Sequence, residues 1–148
     1  MPQLVKGGKW TFGWIETSRD GQCPIPPEAW IEYRFKSTNA FIATPASRSS
    51  GGFGVTTRHR IKASLPIKPL ASLSVVAEGV LQLPEILFEL TGLPRGVRLL
   101  AVRGNRFALG CIAKGRIIQE AFNHPDLDVF TTKSVTSHFI RLSEEKQD

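Results

Sequence analysis

Apolar and polar positions in the first third of the chain predict a series of short elements. Apolar residues alternate with smaller or polar residues through 10–17, which is typical of a half-buried strand. Asp20–Gly21 predicts a tight turn, because glycine accepts a positive φ. Pro26–Pro27 favours a helix start, since proline has no N–H to leave unpaired in the first turn. The apolar strands Ala40–Thr44 and Phe53–Arg58 are predicted to follow.

A second series with the same order begins 58 residues further on, where Glu78–Gly79 takes the place of Asp20–Gly21. Leu73–Ala77 is its first strand, and Pro84 takes the place of Pro26. A helix with Ile86, Leu87 and Leu90 on one face is expected to end at Gly92, a residue suited to a left-handed helix end. The strand Arg98–Arg103 follows. Each series therefore predicts strand, turn, strand, helix, strand, turn, strand.

The two series differ at two places. Arg34 occupies the position that Gly92 has in the second series. The last two strands of the first series are joined by the long loop Pro45–Gly52, whereas Arg103–Arg106 predicts a tight turn into Phe107–Ala113 in the second.

A unit of about 45 residues buries too little surface to be stable alone, so we expect the two units to share one core. The predicted organisation is repeat 1 over residues 10–60, a linker over 61–69, repeat 2 over 70–115 and a C-terminal extension over 116–148. In the extension, Gly115–Asn123 predicts a short helix and Lys133–Leu142 predicts a strand with Val135, Phe139 and Ile140 apolar. We expect this extension to dock on the repeats or to mediate oligomerisation.

Composition places the chain among ordinary globular domains. It has 148 residues, of which 41% are hydrophobic and 22% are charged, and this excludes wholesale disorder and a fibrous repeat. No apolar run approaches the roughly 20 residues of a membrane span, and the N-terminus has no secretory h-region. Two cysteines are too few for a disulfide scaffold, so we expect a reduced, cytoplasmic setting.

Positive charge is concentrated in the first half. The net charge is +6, with ten basic and four acidic side chains in residues 1–70 and nine of each in residues 71–148. Such asymmetry favours an anionic partner, nucleic acid first among them.

Repeat 2, with its sequence EGVLQLPEILFELTGLPRGVRLLAVRGN, resembles the AbrB/SpoVT-type (AbrB/MazE/SpoVT) swapped-hairpin domain. Repeat 1 keeps the Gly-x-x-x-Ile-Pro opening of that motif and lacks its later glycines. In that family, two copies from two chains interlock into one small barrel. The resemblance implies a mainly β protein with short helices, in which two tandem copies build the AbrB-like β-barrel as an intrachain pseudo-dimer, with the helix/strand extension added.

Members of that family are mostly DNA-binding transcriptional regulators or antitoxins, so the resemblance implies double-stranded DNA as the partner. The family positions that often carry arginine hold other residue types here: Gln22, Val80, Trp30, Ile31, Phe88 and Glu89. None of these pairs with a phosphate as arginine does. Two functions therefore remain open: a DNA-binding regulator, or a non-enzymatic protein-interaction module on the same fold that has lost DNA binding.

Other basic residues of the first half are the candidate DNA contacts. They are Lys6, Lys9, Arg19, Arg48, Arg58, Arg60 and Lys62. The loop Pro45–Gly52, rich in serine and glycine, is also a candidate for binding a small anion, since backbone N–H groups and hydroxyls contact phosphates.

No motif predicts catalysis or a cofactor. The Gly8–Lys9 pair lacks the other positions of a phosphate-binding loop, and the cysteines and histidines are too scattered to predict a metal site. We therefore expect a protein that is not an enzyme. Trp10, Phe12 and Trp14 are predicted to share one strand face and to belong to the core.

Overall fold

The structure is a computed structural model that describes residues 3–5, 9–64, 68–104 and 107–146. It is mainly β, and the described residues form ten strands and five helices. The elements up to residue 64 are β1 (Gln3–Val5), β2 (Lys9–Glu16), β3 (Gln22–Pro24), α1 (Pro27–Glu32), β4 (Phe41–Pro45), β5 (Phe53–Thr57) and α2 (Arg58–Ser64).

The remaining elements repeat the order from β2 to α2 and then extend it. They are β6 (Ala71–Ala77), β7 (Val80–Gln82), α3 (Glu85–Thr91), β8 (Arg98–Arg103), β9 (Leu109–Ile112), α4 (Arg116–Ala121), β10 (Val129–Phe130) and α5 (Thr132–Lys146). The predicted order of strands and helices in both repeats is confirmed, as is the short helix after Gly115. The tight turn that we predicted after Arg103 falls partly on residues 105–106, which lie outside the described residues.

The strands form one nearly closed, barrel-like sheet in which each repeat pairs with the other. Their order is β1-β2-β8-β9-β5-β4-β6-β7-β3, with β10 lying parallel to β2. The first strand of each repeat pairs with the third strand of the other, β2 with β8 and β6 with β4. The short strands β3 and β7 pair with each other. Neither repeat completes its part of the sheet without the other.

The main core fills the inside of this sheet with side chains from both repeats. Ile15, Leu81 and Leu99 are wholly buried there, and the aromatic rings of Trp30, Phe35 and Phe41 pack together beneath α1. Burial of so much apolar surface is the dominant stabilising contribution.

The prediction that Phe12 and Trp14 share a strand face is wrong. Phe12 lies in the main core, whereas Trp14 is buried in a second cluster on the opposite side of the sheet. The register of β2 against β8 shifts between Thr11 and Gly13, where Gly13 adopts φ +134°. Such a bulge adds one residue to the strand, so the alternation of side chains reverses beyond it.

The second cluster covers the outer face of β2, β8 and β9. Leu100, Val102 and Ile112 from the sheet pack there against Ile118 of α4 and Leu127. The C-terminal extension therefore docks on the repeats, which is the first of the two roles that we expected for it.

Residues 132–146 form helix α5, so the predicted strand Lys133–Leu142 is wrong. Val135 and Phe139 are one helical turn apart and both pack over Gly79. The space there is tight, because a methyl group added at Gly79 would overlap both side chains.

The predicted linker also contains regular structure, since α2 continues to Ser64 where we expected only a connection. No helix in the described part of the chain is long and apolar enough to cross a membrane.

Candidate nucleic-acid interface

The described candidate DNA contacts are distributed over four places in the fold. Arg19 lies in the turn between β2 and β3, and Arg48 lies in the loop between β4 and β5. Arg58 and Arg60 lie in the first turn of α2. Lys9 belongs to β2 and Lys62 to α2, whereas Lys6 lies outside the described residues.

Arg19 is exposed beside the end of α3. Its carbonyl oxygen accepts a hydrogen bond from Nη1 of Arg95 at 3.0 Å. Arg95 also pairs with Glu85 and places its guanidinium 5.0 Å from the centre of the Phe88 ring. The backbone of Arg19 therefore lies next to a carboxylate-paired arginine, Arg95, that the sequence had not indicated.

The two arginines of α2 differ in how far they are exposed and in what their guanidinium groups bind. Arg60 donates a hydrogen bond to the carbonyl oxygen of Tyr33 and lies 5.9 Å from the centre of the Tyr33 ring. Its guanidinium is therefore committed to the end of α1. Arg58 is exposed, and its Nη2 donates to Oγ of Ser72 at 2.6 Å.

Arg48 is exposed at the tip of the β4–β5 hairpin, away from Arg58. The five-residue strands β4 and β5 separate the two arginines by roughly 16 Å, at ~3.3 Å per residue. Arg48 and Arg58 therefore do not form one cluster.

Ion pairs between the repeats neutralise two acids of repeat 1 with arginines of repeat 2. Arg98 pairs with Glu16 at 2.9 Å, and Arg103 holds both carboxylate oxygens of Glu32, from Nε at 2.6 Å and from Nη2. Repeat 2 thus supplies the cations that neutralise these two acids of repeat 1. Within the described residues, Arg19, Arg48 and Arg58 form no ion pair.

The Arg103–Glu32 pair shapes the electrostatics around α1. The hydrogen-bonded carboxylate of Glu32 raises the pKa of Arg103 above its usual value. Burial, followed by the nearby Glu32 charge, raises the pKa of Tyr33 to about 12. The Tyr33 hydroxyl donates to the carbonyl oxygen of Ala108 at 3.2 Å, so at neutral pH this residue is a neutral hydrogen-bond donor.

The family positions that often carry arginine offer little to DNA in this chain. Val80, Trp30 and Phe88 are buried in the core, and Gln22 is half-buried. Ile31 is 63% exposed, which presents an apolar side chain to solvent, and Glu89 presents a negative one.

Two cations near the hairpin tip were missed from the sequence. Lys114 and Arg116 are exposed and line a cavity together with Ser49 and Ser50, the neighbours of Arg48. We overlooked them because the net charge of the second half is zero. The run Lys-Gly-Arg just after the last predicted strand of repeat 2 could have indicated them.

The cysteines lie together inside the core, and both are wholly buried. The pKa of the Cys111 thiol is raised by its hydrogen bond with Cys23 and by burial. A thiol that stays protonated and away from solvent is a poor nucleophile. Among the described residues, no group of three histidine, cysteine or acidic side chains is placed to hold a metal ion.

No family model matched the chain, and neither did any curated protein or solved structure. The resemblance noted in repeat 2 therefore stays a prediction. The grounds for assigning a function are the exchange of strands between the repeats and the distribution of charge.

Proposed function

We propose that this protein is a DNA-binding transcriptional regulator of the AbrB/SpoVT type that contacts duplex DNA mainly through repeat 1. In a swapped-hairpin barrel each copy completes the sheet of the other, and the pairing of β2 with β8 and of β4 with β6 supports that assignment. The protein is then an intrachain pseudo-dimer of two family units.

The observation that carries the proposal is the uneven neutralisation of charge. Arg95, Arg98 and Arg103 each pair with a carboxylate, and all three belong to repeat 2. Arg19, Arg48 and Arg58 of repeat 1 stay exposed, and none of them pairs with a carboxylate in the described parts of the chain. Exposed arginines without acidic partners suit a polyanion, because each phosphate contact releases a condensed counterion.

The test is a titration of a fluorescent random-sequence duplex at several salt concentrations. Each arginine that contacts a phosphate contributes about 0.9 to the slope of log affinity against log salt. We therefore expect Arg48→Gln and Arg58→Gln each to lower that slope by about one. Arg141→Gln is the matched control, because Arg141 is also exposed and lies on α5 in the second half.

Absence of duplex binding at low salt would refute the proposal. An equal loss of slope in the Arg141→Gln control would also count against it, because the loss would then reflect net charge and not an interface.

A second function is favoured by apolar exposure on the helices. Ile31 of α1 is 63% exposed and Leu90 of α3 is 55% exposed, whereas helices of a monomeric domain usually turn such residues inward. These residues support a protein-interaction module that has lost DNA binding. Sedimentation at rising protein concentration tests self-association. Ile31→Asp with Leu90→Asp should then abolish self-association, and neither the original protein nor the variant should bind the duplex.

A further inference from the structure

Two loops are joined into one unit at the tip of the β4–β5 hairpin. The carbonyl oxygen of Ser50 accepts hydrogen bonds from the backbone N–H groups of Ala113 and Lys114, both at 2.9 Å. Gly115 has φ +106°, and a methyl group added there would lie 2.8 Å from the carbonyl oxygen of Ser49. Only glycine permits so close an approach, so the serine loop and the loop after β9 hold each other in place.

A cavity of about 780 Å³ opens between these loops and α4. Ser49, Ser50, Lys114 and Arg116 line one part of it. The hydroxyl oxygen of Ser47 lies 3.2 Å from that of Ser49 and 3.0 Å from that of Ser50, which gathers three hydroxyl groups at this edge. Neither Lys114 nor Arg116 forms an ion pair with a described residue.

The remaining lining adds amide and carboxylate groups. Gln119 and Asn123 provide donors and acceptors, and Glu120 provides an acceptor. A volume of about 780 Å³ falls within the ~300–1,000 Å³ of small-molecule sites, so the cavity is too large for an inorganic ion alone.

A second cavity of about 240 Å³ adjoins the first, and both are lined by Ser50, Ile112 and Ile117. Gly54 and Gly110 also line it, and they lie directly opposite each other in the pairing of β5 with β9. The space above these glycines is filled, because a methyl group added at Gly54 would overlap Oγ1 of Thr44 and one added at Gly110 would overlap Cγ2 of Val102. The apolar side chains that line both cavities are Ile112 and Ile117.

We propose that these adjoining cavities bind a phosphate monoester of a small organic molecule. The phosphate lies between Lys114, Arg116 and the serine hydroxyls, and the organic part lies against Ile112 and Ile117. A monoester carries about −1.5 to −2 charge at pH 7 and three acceptor oxygens, which matches two uncompensated cations and a group of hydroxyl donors better than a carboxylate does. This assignment does not depend on whether the protein binds DNA.

The test uses phenyl phosphate as the probe, with inorganic phosphate and phenol as its two parts. Backbone amide chemical shifts of the full chain are followed by NMR at constant ionic strength. We expect saturable shifts of Ser49, Ser50 and Gly115 with phenyl phosphate and weaker ones with inorganic phosphate. Shifts of Ile112 and Ile117 should appear only with phenyl phosphate, and phenol alone should shift none of these amides.

The variant Lys114→Gln/Arg116→Gln should weaken phenyl phosphate binding at least tenfold. Both side chains are exposed, so the fold is expected to tolerate their replacement. The matched control is Lys133→Gln/Arg141→Gln, which removes the same charge from exposed positions of α5 and should leave the affinity unchanged.

Three results would overturn the proposal. One is the absence of saturable shifts at millimolar phenyl phosphate. Another is equal affinity in the Lys114→Gln/Arg116→Gln variant and its control. The third is a short DNA duplex that shifts the same amides and displaces phenyl phosphate completely, which would assign the cavity to nucleic acid.

Discussion

At the scale of single residues, Arg34 carries a conformation that its side chain disfavours. It adopts φ +56°, while the corresponding Gly92 of repeat 2 ends α3 at φ +72°. A left-handed conformation costs an L-residue roughly 1–2 kcal/mol, whereas glycine adopts it freely. The backbone N–H groups of Arg34 and Phe35 still close the end of α1, with bonds to Ile31 and Trp30. The sequence revealed the exchange of glycine for arginine, and the shared backbone geometry means that the substitution is tolerated at a cost.

We therefore expect Arg34→Gly to raise the free energy of unfolding by about 0.5–1 kcal/mol, since relief of strain exceeds the added chain entropy. Urea unfolding with an unchanged m-value measures this. Gly92→Ala is the opposite test, and we expect it to lower the free energy of unfolding by about 1 kcal/mol. No atom lies within 4 Å of the added methyl group, so this decrease reports backbone conformation alone. A stabilised Gly92→Ala would contradict the explanation.

Tyr33 gives the protein a pH dependence in the alkaline range. Its pKa is raised to about 12 in the folded protein, against about 10 in an unfolded chain. Between these values the unfolded chain releases the proton and the folded protein keeps it, so stability falls as pH rises, by at most about 1.4 kcal/mol per pH unit. Since Tyr33 is the single tyrosine, tyrosinate absorbance follows it directly. Tyr33→Phe should flatten the decline, and titration near pH 10 in the folded protein would show the prediction to be wrong.

At the scale of elements, α5 shows how tertiary packing overrides composition. Residues 133–142 are rich in serine, threonine and β-branched residues, which favour a strand. Val135, Phe139 and Leu142 also follow the i, i+4, i+7 spacing of a helix face, and the structure uses that spacing to cover Gly79. Because the apolar residues fit both patterns, only the barrel surface on which they pack decides between them.

Phe139→Ala should lower the free energy of unfolding by about 2 kcal/mol, less than for a fully buried phenylalanine because Phe139 is only partly buried. Ile140→Ala is the control one residue away. Its side chain is 54% exposed, so the change should stay within about 0.5 kcal/mol. Equal effects of the two substitutions in thermal unfolding would argue against the helical packing.

Local signals explain which other elements were predictable. Asp20–Gly21, Pro84 and Gly92 act within a few residues of themselves, and the turns and helix boundaries they predict are present. The bulge at Gly13 and the ion pair of Arg103 with Glu32 depend on partners far away in the sequence, so no local pattern reveals them. The placement of Lys114 and Arg116 beside the serine loop also depends on a contact between distant parts of the chain, so it was not predictable. The exposure of Arg48 and Arg58 needs no such contact and was predictable.

At the scale of the whole molecule, the exchange of strands makes the repeats interdependent. Removing residues 68–148 would leave β2 without β8 and β4 without β6. Unpaired buried strand edges are costly, because each free N–H and C=O group loses its hydrogen bond.

We expect residues 1–64 and residues 68–148, produced separately, to unfold without cooperativity and to recover a cooperative transition when mixed. All three tryptophans lie in the first fragment, so their fluorescence reports the addition of a second fragment that has none. A second fragment carrying Leu99→Asp should fail to restore the transition, because Leu99 is wholly buried in the shared core. Full native fluorescence from residues 1–64 alone would contradict this interdependence.

Because both repeats belong to one chain, the residue at a position of one repeat can differ from the residue at the corresponding position of the other. In a pair of identical chains every substitution appears twice, so an ion pair across one seam necessarily appears across the other. Here Arg103 and Glu32 correspond to Pro45 and Leu90, and Arg98 and Glu16 correspond to Ala40 and Ser74. The two seams of the sheet are therefore chemically different. The arginines of repeat 2 can form ion pairs that hold the two repeats together, while the surface of repeat 1 stays available for a ligand. A symmetric dimer cannot separate these two roles, because both of its copies carry the same residues.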